Sequence, residues 1–236
     1  MKRRIVRTIT LGSITALIVL GTWRNIQAQD AKAPYQSIAP LEQYLIADRD
    51  AEIALARSAA PESISRDAGV LVLGGHGYET AVKCKNGFVC VVERSWMSPF
   101  DDPEFLNPDQ RLPLCLNPPA VRSHLPLTFK TTELALAGLS KTQMFDKIKA
   151  AFDTKELPSP EPGAMCYMMS KQQYFGRKYE NADSHLMFWF SKTDDIFWGG
   201  GLPGSPVYVH QYSPEPITEF IVSVSKWSDG TAGPTE

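Results

Sequence analysis

The sequence predicts an α+β protein: a mainly antiparallel sheet with two or three helices and a long Pro-rich loop. Three observations carry this. Short runs rich in branched and aromatic residues recur between clusters of Gly, Pro, Asn and Asp. Helical spacing is confined to a few segments. Strands and helices do not alternate along the chain, which argues against a parallel, doubly wound sheet.

The chain opens with a basic head of Lys2, Arg3, Arg4 and Arg7, then an apolar run from Ile9 to Leu20, then a polar stretch ending in Ile26-Gln27-Ala28. This is the layout of a secretory signal peptide cut after Ala28. A run of about a dozen apolar residues is too short to cross a ~30 Å hydrocarbon core. The expected organisation is a signal peptide over 1–28, a disordered lead over 29–39, a single globular α+β domain over 40–227, and a flexible tail over 228–236.

Within the domain, Pro40 opens a helix expected to reach about Ser58, with Leu41, Tyr44, Leu45, Ile53 and Leu55 as apolar content. Val70-Leu71-Val72-Leu73 reads as a buried strand, and Gly74-Gly75-His76-Gly77 turns the chain. Tyr78 to Lys83 and Phe88 to Arg94 then form a hairpin around Asn86-Gly87, a pair suited to a type I′ turn. In that register Cys84 faces Val89 and Cys90 faces Lys83. Six prolines between Ser98 and Pro119 read as loop. Pro126 to Ala137 is partly helical, with Gly138 just past its end. Ser140-Lys141-Thr142-Gln143 is a capping box, and Met144, Phe145, Ile148, Ala151 and Phe152 follow at helical spacing. Ala164–Ser170, Ser184–Ser191, Val207–Gln211 and Ile217–Trp227 complete the strands.

Charge narrows the partners. Residues 1–28 hold five of the 24 Lys and Arg and none of the 26 Asp and Glu, so cleavage leaves a net charge near −7. An acidic surface repels phosphate backbones and anionic lipid, so nucleic-acid binding is disfavoured. No later stretch is long and apolar enough to span a bilayer, so no stable membrane insertion is expected after cleavage.

Four cysteines in an exported chain point to disulfides. The preferred pair is Cys90 with Cys115, which closes the Pro-rich loop. Cys84 and Cys166 are left over, either paired or as free buried thiols. No Cys-x-x-Cys spacing supports a redox or zinc-ribbon reading.

Sites are less legible. His76-Gly77-Tyr78-Glu79 brings an imidazole and a carboxylate to one Gly-rich turn, the ingredients of a general base or a metal-ligand pair. His185 lies on a strand where Leu186, Phe188 and Phe190 share one face and His185, Met187 and Trp189 the other. The second face is the first place to search for a site. His124 and His210 carry less weight. No His-Glu-x-x-His, phosphate loop or nucleophile elbow is present. Asp101, Asp102 and Glu104 form a short acidic run without an EF-hand pattern. Catalytic role, metal and cofactor are therefore left unknown, with His76, Glu79 and His185 as candidates.

Asn86-Gly87-Phe88-Val89-Cys90, followed by Pro113-Leu114-Cys115, resembles uncharacterised exported bacterial proteins with an Asn-Gly-aromatic-x-Cys hairpin. Ala59-Ala60-Pro61, Pro160–Met169 and Trp227-Ser228-Asp229-Gly230 resemble the same set. The resemblance implies no reaction, cofactor or catalytic residue. The expected function is that of an exported, periplasmic or extracellular, non-catalytic binding or accessory module of the cell envelope, with its small-molecule or envelope partner unknown. The alternative is an envelope hydrolase, metal-assisted or not, with a site near His76, Glu79 and His185.

Overall fold

A computed structural model describes residues 35–177, 183–193 and 198–233. The expected signal peptide, the first part of the lead and residues 234–236 lie outside the described residues.

The class is α+β, with an eight-stranded, mostly antiparallel sheet and five α-helices among the described residues. β1 (Gly69–Gly74) is an almost wholly buried apolar run, which suits an interior strand with a partner on each side. β2 (Gly77–Val82) pairs antiparallel with it through the two-residue turn Gly75-His76. β3 (Val89–Glu93) pairs parallel with its other side, Val70 opposite Cys90. This corrects the hairpin expected around Asn86-Gly87: β1 lies between the two strands that were to pair. β2 is half-exposed along its length and belongs at an edge, whereas β1 needs two neighbours. Asn86 shapes a local turn instead, donating to Ile64 O at 2.8 Å and accepting from Phe88 N at 3.1 Å.

β4 (Leu112–Leu116) is fully buried beside β3, inside the stretch expected to be loop. Its ladder to β5 (Met165–Met168) covers only Cys115 and Leu116, so Pro113 sits where that side of β4 has no ladder partner. β6 (His185–Ser191), β7 (Val207–His210) and β8 (Ile217–Ser223) complete the order β2-β1-β3-β4-β5-β6-β8-β7. Cys90 and Cys115 stand opposite each other on β3 and β4 and form the disulfide, with Cα atoms 4.0 Å apart. Cys84 is free and exposed, and Cys166 is free and buried. A cross-strand disulfide fits a chain that folds in an oxidising compartment.

The two faces of the sheet are covered differently. On the back, α1 (Arg49–Arg57) packs over β1, β3 and β4. Asp48 caps it, accepting from Asp50 N at 2.9 Å and Ala51 N at 3.2 Å. That cap splits the helix expected from Pro40 to Ser58: residues 41–43 form a 3-10 turn, and fully buried Tyr44 donates its hydroxyl to Leu106 O at 2.8 Å. Glu52 of α1 pairs with Arg94 at 2.8 Å and accepts from Leu73 N at 3.1 Å, while Arg94 also donates to Tyr44 O at 2.7 Å. Both side chains are essentially inaccessible to solvent, so each depends on the other for charge compensation. α2 (Glu62–Ser65) is a single turn before β1.

On the front lie α3 (Pro118–Ser123), α4 (Leu125–Leu136) and α5 (Lys141–Asp153). Asn117 caps α3 through Ala120 N at 3.0 Å and ties it to β5 by accepting from Met165 N at 3.1 Å. α4 ends with Gly138 at φ +73°, a left-handed position that suits glycine just past a helix. The Ser140–Gln143 capping box starts α5, which buries Met144, Ile148 and Ala151 against the same core as Leu127 and Leu134. After Trp227 the chain, expected to fray, is held by Ser228 N donating to Met169 O at 2.9 Å and by a Lys171–Asp229 ion pair. Among the described residues no helix is long and apolar enough to cross a membrane.

Candidate functional site

Strand alternation sends Glu93, Leu112, Leu114, Met168, Met187, Trp189, Glu219 and Ile221 to the front face. α4 covers part of that face. Over the remainder, bordered by the 97–110 segment and the β7–β8 connection, lies a cavity of about 660 Å³. That volume suits a small organic molecule.

One end of the cavity is polar. Trp189 of β6, Glu219 of β8 and His210 of β7 stand in one cross-strand row, and the Trp189 indole N–H donates to Glu219 Oε2 at 2.8 Å. His124, at the junction of α3 and α4, lies flat on Trp189, ring centres 4.1 Å apart and planes 14° from parallel. Its Nε2 is 3.7 Å from Glu93 Oε1, an ion-pair separation too long for a hydrogen bond. Glu93 is 4 % exposed and accepts from the Thr128 hydroxyl at 2.5 Å. Glu215, in the β7–β8 connection, completes the group. His124 Nδ1 is buried without a hydrogen-bond partner among the described residues.

The electrostatics follow from placing three carboxylates beside the His124 imidazole in a partly buried space, with His210, whose charged form burial disfavours, next in the row. Burial pushes the Glu215 carboxyl up to about 7; Glu219 and Glu93 add to that, and His124 opposes it. Burial also raises Glu219, against the Trp189 hydrogen bond and His124. For His124, burial disfavours the charged ring, but Glu93, with help from Glu215 and Glu219, outweighs it and leaves the pKa raised. Glu215 can therefore hold and release a proton near neutrality, and the carboxylates can meet a positive charge.

Much of the remaining wall is apolar, including Met97, Phe100, Leu114, Met187 and Ile221, with Ser98, Asp102, Gln110, Arg177 and Tyr212 among the polar side chains on it. Gly176 shapes the rim beside Phe175. It sits at φ +105°, and a Cβ there would lie 2.3 Å from Glu104 Cδ, so only glycine fits.

His185 lines this cavity together with Met187 and Trp189, the strand face singled out in the sequence. Its Nδ1 meets Asp183 O at 2.7 Å and therefore carries the proton, and burial lowers its pKa. His76 and Glu79 lie elsewhere. His76 is exposed in the β1–β2 turn, beside a second, shallower depression with Phe129 and Glu133. Glu79 is exposed and paired with Arg49. Four to five strand spacings, about 19–24 Å, separate β1 and β2 from β6, so the structure does not bring His185 together with the other two. Among the described residues no group of three or more His, Cys, Asp or Glu is arranged to hold a metal ion.

Glu93, Glu215 and Glu219 were not singled out in the sequence. Glu219 carried a readable signal, a carboxylate alternating with Ile217 and Ile221 on one strand face, and Glu93 closes the apolar run Val89–Val92. Their convergence with His124 arises from the order of β3, β6, β8 and β7, which no local pattern specifies. Compared with known proteins, the chain matches no family model, no curated protein and no solved structure.

Proposed function

We propose that this chain is an exported, periplasmic or extracellular binding protein of the cell envelope that holds a small amphipathic molecule in the front cavity. The observation that carries the reading is the cavity itself: largely apolar walls leading to one polar end where three carboxylates, the His124 imidazole and an indole meet. Export is supported by the layout of residues 1–28, the Cys90–Cys115 disulfide and the resemblance to exported bacterial proteins of unassigned activity. A thermal-shift screen of small apolar and amphipathic compounds tests it. Compounds should raise the melting temperature of the wild type and lose that effect in Ile221→Trp, which fills the cavity. Compounds that stabilise both proteins equally, or none that stabilise the wild type, would refute the proposal.

A second reading, an envelope hydrolase, is favoured by one observation: a Glu215 carboxyl near 7 shares the cavity with a proton-accepting His124. A hydrolase centred on His76, Glu79 and His185 would have to draw on two separate regions of the sheet. Turnover of an ester or glycoside panel, abolished by Glu215→Gln and untouched by His76→Ala, would favour catalysis in the front cavity over binding alone.

A further inference from the structure

We infer that the ligand of the front cavity is a lipophilic organic cation, a protonated amine on an apolar body, whose head is met by Glu215 and Glu219. This inference deepens the binding reading and rests on it.

Glu93 has its own partners, the Thr128 hydroxyl at 2.5 Å and His124 at 3.7 Å. Glu219 holds the neutral indole N–H of Trp189 at 2.8 Å, which satisfies a lone pair and leaves the charge. No Lys or Arg ion pair reaches Glu215 or Glu219 among the described residues, and the cation that acts on both is the His124 ring already facing Glu93. Arg177 lines the cavity from an exposed position on its rim. When all three carboxylates are ionised, the polar end therefore carries more negative charge than His124 can balance, since burial disfavours the charged form of the neighbouring His210. A buried, uncompensated charge is costly, and a ligand that brings a positive charge removes that cost. An anionic head would add to it.

The shape of the site supplies a second, independent reason. Beyond the carboxylates the cavity runs between Met97, Phe100, Leu114 and Met187, side chains with nothing to offer a polar tail. Methionine and aromatic walls favour a flexible or flat apolar body. A primary ammonium has three N–H donors to share among the carboxylate oxygens of Glu215 and Glu219, which a hydroxyl or a carboxylate head does not.

Three probes of equal chain length separate the possibilities: octylammonium, 1-octanol and octanoate, titrated calorimetrically into the full protein at pH 8. Octylammonium should bind about tenfold or more tighter than 1-octanol, with octanoate weakest. In Glu215→Gln/Glu219→Gln the ammonium preference should collapse while 1-octanol affinity is retained. The ranking on the wild type stands alone if the double variant does not fold. Equal binding of octylammonium and 1-octanol, or preference for octanoate, would overturn the cationic class while leaving the cavity as a binding site. Binding of none, or binding undiminished in Ile221→Trp, would overturn the cavity reading and this inference together.

Discussion

Substituting Glu215 by glutamine removes one ionisable group from the polar end of the cavity and keeps its shape. In the folded chain burial moves that carboxyl from 4.5 to about 7, helped by Glu219 and Glu93 and opposed by His124. The folded state thus holds the proton more tightly than the unfolded state. Stability is greatest when the group is protonated in both, and it falls as pH rises from about 4.5 through about 7. At about 1.4 kcal/mol per tenfold difference in proton affinity the full displacement is worth about 3 kcal/mol. Glu215 is partly open to the cavity, so about 2 kcal/mol is the better expectation. For a chain of this size that is roughly 4–8 °C in melting temperature. His124, with its raised pKa, works in the same direction, since its stabilisation is present at low pH and lost as pH rises through its folded value. The difference between wild type and variant, not the absolute trend, therefore isolates Glu215. Melting followed by circular dichroism should show Glu215→Gln more stable than wild type at pH 8.5 and nearly equal at pH 4. A difference that is the same at both pH values, or a variant less stable at pH 8.5, would refute the claim that this carboxylate is held at a cost.

Other perturbations test the scaffold. Glu52→Ala leaves buried Arg94 without its carboxylate and should cost about 3–5 kcal/mol in urea unfolding; a loss below 1 kcal/mol would deny the pair its role. Replacing Cys90 and Cys115 by serine opens a cross-link spanning 25 residues and should cost about 3 kcal/mol. A thiol reagent should label Cys84 on the native protein and Cys166 only after unfolding, since Cys166 is buried and its pKa is raised by burial. Ser140→Ala removes the reciprocal cap of α5 and should cost about 1 kcal/mol, with restoration in Ser140→Asp.

Local chemistry made much of the scaffold legible. The Ser140–Gln143 cap, the strands over 164–227 and the β1 run are set by residues a few positions apart, and they fold where the spacing says. The Cys90–Cys115 bridge was readable because a loop-closing pair was the simplest use of two thiols in a chain expected to be exported. What failed was pairing. Asn86-Gly87 signals a tight turn, and it does turn, but whether its flanking strands meet depends on β1, an apolar strand earlier in the chain that takes the place between them. β4 was hidden by Pro113, which would disrupt a fully paired strand and is tolerated where the β5 ladder does not reach. The site shows the same division. Alternation along β6 pointed to the face of His185, Met187 and Trp189, and that face lines the cavity. Glu93, His124, Glu215 and Glu219 come from four elements spread over more than a hundred residues, and only the order of strands in the sheet brings them together.

A crystal structure of the protein purified from its native source decides most directly whether the front cavity is a binding site. Electron density for a small organic molecule is expected in the front cavity, its polar head within hydrogen-bond reach of Glu215 or Glu219 and its apolar body against Met187 and Leu114. A molecule bound instead at the His76 turn or on the back of the sheet, with the front cavity filled only by solvent, would contradict it.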